Sequence, residues 1–174
     1  MTVSEMQVPA SVADEAAQFL YLEAKLLDDA RIREWHALFM GECRYWIPID
    51  EDLPPTECAA IVNDNALGLE ERVYHLLSTT FAAQLPKSRT LHFVANVMVD
   101  KEASTDERIV VHSYQLIIEL RTGDYRQIGL GDQRSIATSM THELARTADG
   151  LRIARKIIRL IDREMPQSNL TFLL

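Results

Sequence analysis

The chain has 174 residues, 47% hydrophobic and 25% charged, and a formal net charge of −8. That length suits one domain able to bury a core without disulfide or metal staples, and the composition excludes a disordered chain. The acidic balance argues against nucleic acid or an anionic membrane surface as partner, because both select basic surfaces.

In chain order, Met1 to about Ser11 is polar and interrupted by Pro9, which predicts a loose N-terminal tail. A first helix is expected over 12–27, where Ala16, Phe19, Leu20, Glu23, Leu26 and Leu27 recur at three- and four-residue steps. Glu23 sits in the middle of that apolar stripe, and a carboxylate there needs a partner or a wet cavity. Asp28 and Asp29 break the pattern. A second helix is expected over 30–40, with Ile32, Trp35, Leu38 and Phe39 as its stripe and Gly41 as its stop. Arg44-Tyr45-Trp46-Ile47 is aromatic and β-prone, giving a strand over 43–49 that Pro48 limits. The acidic, proline-rich stretch from Asp50 reads as a surface loop extending to Asp64. A third helix follows over 67–81, carried by Leu69, Val73, Leu76, Leu77 and Thr80, and Pro86 closes the helical region.

The period then changes from helical to alternating. Over 91–99 the odd positions are all apolar while His92 and Asn96 are even, which predicts a strand with one buried face. A charged turn over 100–108 leads to a long strand over 109–121, with Val110, His112, Tyr114, Leu116, Ile118 and Leu120 on one side, paired antiparallel with the strand before it. Gly123-Asp124 turns the chain into a third strand over 125–143, with a bulge or bend expected near Gly129 and Gly131. Asp149-Gly150 is a hairpin signal. The segment 151–162 fits either period, and the turn and its β-branched content decide for a strand. The tail from Asn169 to Leu174 is apolar and is expected to dock on this chain or on a partner. Three helices followed by three or four long antiparallel strands make an α+β fold, a single domain over 1–174 in which the helices pack on a curved sheet to form a cone.

Several of these blocks resemble a known family. Glu23-Ala24-Lys25-Leu26-Leu27-Asp28, Glu34-Trp35, Leu38-Phe39 and Arg44-Tyr45-Trp46-Ile47-Pro48 are similar to the opening of the small (β) subunits of aromatic-ring-hydroxylating dioxygenases. Leu69-Glu70-Glu71-Arg72-Val73, Pro86-Lys87-Ser88-Arg89-Thr90-Leu91-His92 and Asn96-Val97 resemble its middle. Gly150-Leu151-Arg152-Ile153-Ala154-Arg155-Lys156 and Asn169-Leu170-Thr171 resemble its end. The chain departs from the family's usual pattern at Thr80–Lys87, which lacks a tryptophan, and near Gly129, which is poorer in arginine. The resemblance implies an NTF2-like (cystatin-like) cone. It also implies a non-catalytic subunit of a complex that converts an aromatic compound to a cis-dihydrodiol. The Rieske [2Fe-2S] centre and mononuclear Fe(II) would sit on a partner large (α) subunit, three small subunits joining three large ones in a hexamer.

The residues are consistent with that division of labour. A Rieske centre needs two Cys and two His in paired short motifs, and Cys43 and Cys58 have no such neighbours. None of His36, His75, His92, His112 and His142 is paired at short spacing with a second His and a carboxylate, as a mononuclear iron site would want. No catalytic, cofactor-binding or metal residue is therefore assigned. Two scattered cysteines, no apolar run of the ~18 residues a membrane span needs, and no signal-peptide pattern place the chain in the cytoplasm. Gly129-Leu130-Gly131 reads as a strand bend. The basic run Arg152, Arg155, Lys156, Arg159 and Arg163 reads as an outer face or a subunit contact. The rival reading is an independent isomerase or dehydratase of the same fold, with Glu23 and His92 or His112 as an acid/base pair and Tyr21 and Tyr114 also pointing inward.

Overall fold

In the computed structural model, residues 11–50, 56–78, 87–121, 131–166, 170 and 172–174 are described. The expected N-terminal tail, Pro86, the Gly123-Asp124 turn, Gly129 and most of the acidic proline-rich stretch lie outside them.

The first helix, α1 (Val12–Asp28), starts where Ser11 forms a capping box with Asp14: its hydroxyl accepts from the Asp14 N–H at 3.1 Å, and its own N–H is met by the Asp14 carboxylate at 3.2 Å. It ends in a Schellman arrangement. Arg31 N–H bonds the Leu26 carbonyl, Ala30 N–H bonds that of Leu27, and Ala30 takes the left-handed conformation at φ 54°. Its buried face is the predicted one, Ala16, Phe19, Leu20, Glu23, Leu26 and Leu27, with Ala24 in addition.

The second helix is shorter than its stripe suggests. α2 covers only Ile32–His36, and the chain is already extended from Phe39. Gly41 therefore does not stop a helix; it lies inside β1 (Phe39–Pro48). The reason is tertiary: Ile153 N–H bonds the Leu38 carbonyl at 2.7 Å, and Phe39 pairs with Ile153 of the last strand. Trp35, Phe39 and Tyr45 still meet, edge to face, with ring centroids 4.8–6.4 Å apart. A further strand, β2 (Ala60–Asn65), occupies part of what reads as a loop and pairs antiparallel with β1. α3 (Ala66–Ser78) buries Leu69 and Val73 against β1 and β2.

Four long strands complete the sheet: β3 (Arg89–Asp100), β4 (Arg108–Leu120), β5 (Gln133–Thr147) and β6 (Gly150–Leu160). The 151–162 segment is a strand, and Thr147 pairs with Gly150, φ 100°, across the expected hairpin. The six strands run β2-β1-β6-β5-β4-β3, an open sheet with β2 and β3 as edges. All neighbours are antiparallel except β1 and β6, which are parallel. The result is the expected α+β arrangement of N-terminal helices on a curved sheet, with one more strand and one parallel pair.

Bulges decide which side chains face the helices. β4 and β5 pair without a break from Arg108 to Leu120. The β3–β4 register slips between Ala95 and Met98, where Asn96 has φ 51°. The β5–β6 register slips opposite Ala154. β1 carries extra residues between Phe39 and Arg44 relative to β6. Each slip moves the following side chains to the other face. Inside the cone lie Val111, Ile117, Ile136, Met140, Leu144, Ile153, Ile158, Leu160 and Tyr45, closed off by α1. The C-terminal tail docks on its own chain, with Leu173 and Leu174 in the same core.

Candidate functional site

The most polar part of the interior is centred on Glu23, which is 1% exposed. α1 brings it over β5 and β6. Lys156 Nζ donates to Glu23 Oε1 at 2.6 Å, Trp35 Nε1 donates to the same oxygen at 3.3 Å, and His142 Nε2 donates to Oε2 at 3.0 Å. Lys156, itself fully buried, also donates to the main-chain oxygen of Leu174 at 2.7 Å. The Tyr45 hydroxyl receives the Leu174 N–H at 3.0 Å and lies 3.2 Å from that same Leu174 oxygen. Helix, sheet, aromatic cluster and tail are thus joined through one ion pair.

The electrostatics are self-consistent. Burial alone would raise the Glu23 carboxyl, but Lys156 and then His142 outweigh it and hold the group well below the usual carboxylate range. Burial pushes the Lys156 ammonium down, with Glu23 opposing it. Burial also pushes His142 below its ordinary value despite Glu23, so the ring is neutral. Because an ionised carboxylate only accepts, the proton of neutral His142 sits on Nε2, and Nδ1 is a buried acceptor with no hydrogen-bond partner among the described residues. Burial raises the Tyr45 phenol well above its usual range. A carboxylate with both oxygens occupied and its proton affinity lowered is a weak base; what it does well is neutralise Lys156.

A second pair sits at the end of α1. Asp28 Oδ1 accepts from His92 Nδ1 at 2.6 Å and from Thr90 Oγ1 at 3.1 Å, and Oδ2 accepts the His92 backbone N–H at 2.9 Å. Burial would raise Asp28, but these bonds lower it. The pair ties the helix end to edge strand β3. A second fully buried carboxylate among the described residues, Glu119, accepts from Ser88 Oγ at 2.6 Å and from Arg134 Nε.

The acid/base pairing expected for an independent enzyme does not form. Glu23 meets His142 and not His92, which belongs to Asp28. His112 lies on the outer face, 3.1 Å from Thr141 Oγ1 and 3.6 Å from Asp100. Tyr21 and Tyr114 are exposed rather than inward. Lys156, read from the sequence as part of an outer basic face, is in the core, while Arg155 stacks outside on Trp46 with its guanidinium carbon 5.4 Å from the ring centre. Among the described residues no group of three or more His, Cys, Asp and Glu side chains is placed to hold a metal ion. No helix among them is long and apolar enough to cross a membrane.

The family of the ring hydroxylating beta subunit matches residues 22–167. The chain belongs to that family. Among curated relatives, the small oxygenase component of the p-cumate 2,3-dioxygenase system of Pseudomonas putida is 34% identical over 146 residues, 82% of this chain and 75% of that one. The β subunit of benzoate 1,2-dioxygenase from Burkholderia mallei superposes with a TM-score of 0.70 at 22% identity, covering 95% of this chain and 99% of its own. A chain of naphthalene 1,2-dioxygenase with indole bound gives 0.77 at 20% identity, covering 97% and 89%. The fold extends further, to a scytalone-dehydratase-like protein of Novosphingobium aromaticivorans at 0.57 and 12% identity, covering 84% and 81%. In this β-subunit family member, then, the space between α1 and the curved sheet holds an ion cluster.

Proposed function

We propose that this chain is the non-catalytic small subunit of a cytoplasmic aromatic-ring-hydroxylating dioxygenase that converts an aromatic compound to a cis-dihydrodiol. Three copies would join three large (α) subunits, and the Rieske cluster and mononuclear iron would belong to the large subunit. The observation that carries this reading is the setting of Glu23: this carboxylate, between α1 and the sheet, is clamped by three donors and buried from solvent. A general acid or base needs the opposite, a proton affinity tuned near working pH and a route to substrate. The chain's task is cohesion: it buries apolar surface and holds large subunits in register.

The reading is tested by tagging the chain at its N terminus, clear of the buried Leu174, and purifying it from its native host. The expected result is an equimolar co-eluting chain whose electron paramagnetic resonance spectrum carries a Rieske signal. In the assembled complex, Glu23→Gln is expected to leave kcat within about twofold once assembly is equal, because only groups in contact with the reacting atoms alter the chemical step directly. A turnover by the isolated chain that Glu23→Gln abolishes would transfer the assignment to the isomerase/dehydratase reading.

A further inference from the structure

A cavity of about 610 Å³ opens where β1, the start of α3 and β6 meet, and none of its lining residues belongs to the Glu23 cluster. That size falls within the ~300–1,000 Å³ of small-molecule sites. Ala66, Leu67 and Ala154 give it short apolar walls, and Arg44 and Arg155 line it as well. The two arginines are register partners on adjacent strands, so like charges stand side by side and repel unless a counter-charge is present. Little counter-charge is supplied. Arg44 donates to the neutral side chain of Asn63. Arg155 reaches Glu143 only at 3.6 Å, and Glu143 is shared with Arg108 at 3.4 Å. Three guanidiniums thus share one carboxylate; Glu42, which is exposed, is the other acid in the lining, and the balance stays positive. The start of α3 adds to it: Asn65 Oδ1 accepts the Gly68 N–H at 3.0 Å, and the first turn carries no acidic side chain to answer the positive end of the helix.

A second observation, independent of charge, points to a ligand. Arg155 Nε is buried without a hydrogen-bond partner, and the guanidinium lies over buried Trp46, whose Nε1 is also buried without one. Two buried donors lacking an acceptor, one of them in the cavity wall, are a cost to folding that a bound acceptor at Arg155 would relieve. We infer that this cavity binds a small carboxylate carried on an apolar body. Arg44 and Arg155 hold the carboxylate, and the body lies against Ala66, Leu67 and Ala154. Arginine suits the task because its planar fork can meet both carboxylate oxygens at once. The volume and the apolar walls suit a ring or a short chain better than a bare inorganic anion.

This site goes beyond the small-subunit reading and does not depend on it. The full chain is titrated at low salt with benzoate, with benzamide and with inorganic phosphate, following heat and tryptophan fluorescence. Benzoate should saturate a single site with a Kd of about 1 mM or tighter, and benzamide and phosphate should each bind at least about tenfold more weakly. Arg155→Gln should weaken benzoate at least about tenfold. If that variant lowers the unfolding midpoint, Leu67→Glu decides. Leu67 is 70% exposed, a helix tolerates an acid in its first turn, and the new charge at the cavity should weaken benzoate by the same factor. Three results would each overturn the assignment: no saturable benzoate binding, benzamide or phosphate binding as tightly as benzoate, or benzoate binding that a folded Arg155→Gln or Leu67→Glu leaves intact.

Discussion

The two faces of one sheet carry opposite anomalies. The inner face holds an ion pair, a neutral histidine and a buried phenol where apolar packing would be expected; the outer face holds leucine, phenylalanine and methionine where water would be expected. The inner charges, Glu23 and Lys156, are paired within the chain, whereas among the described residues the outer apolar side chains stay half exposed. An unpaired charge cannot stay buried, because the cost of desolvation is borne at once. An apolar patch can stay exposed until a partner arrives, because its cost is spread over area. The comparison teaches that the interior is finished in one copy and the surface is not.

The largest expected effect breaks the inner face. Lys156→Met strands the Glu23 carboxylate and removes one bond to Leu174, and should cost about 3–5 kcal/mol in denaturant unfolding. Adding Glu23→Leu should recover most of that loss, since replacing both members of a buried pair by apolar groups is near neutral. If the double variant is as unstable as the single, the pair is not what the cluster is organised around.

A smaller effect follows from pH. The folded-state value of His142 lies below its ordinary 6.5, so as pH falls through the unfolded value the unfolded chain takes up a proton that the native one refuses. Stability should therefore decline from about pH 6.5 downward, by at most about 1.4 kcal/mol per pH unit until the folded value is reached. A second decline should begin near pH 4, where Glu23 and Asp28, whose folded values are depressed, lose contributions present at higher pH. His142→Gln, which can still donate to Glu23, should remove the first decline and leave the second. Urea midpoints across pH 4–7 measure both.

The smallest effect is on the outer face. Phe93→Thr should change monomer stability by no more than about 0.5 kcal/mol, because its side chain is half in water already. A loss of 2 kcal/mol or more in dilute monomer would mean that the patch packs on its own chain, and the contrast between the faces would collapse.

Much of this was legible in the sequence, and the failures have a common cause. The α1 stripe, the oddity of Glu23, the β5–β6 hairpin and the fold class all follow from local period and turn chemistry. The odd positions of 91–99 are all apolar, yet they do not form one buried face: Leu91, Phe93 and Ala95 point out, while Val97 and Val99 pack inward, because the strand slips at Asn96. Lys156 hides for the same reason. Counting by twos from Ile153 places Arg155 inside, but the extra residue at Ala154 reverses the parity and buries Lys156 opposite His142. A strict two-residue period cannot report a bulge. Asn96 and the β-prone flanks of Lys156 were the available hints. Strand β2 and the early end of α2 were missed because both depend on pairing with β1 and β6 rather than on local propensity.

The parallel union of β1 with β6 ties residues near the beginning of the sequence to others more than a hundred positions later. Such high contact order delays the decisive pairing until nearly everything has been synthesised. A nascent chain holding only α1 to α3 has its β1–β2 hairpin but nothing to zip it against, and Glu23 has no cation waiting. Completion should thus be slow and all-or-none, so that half-made chains contribute nothing to assembly.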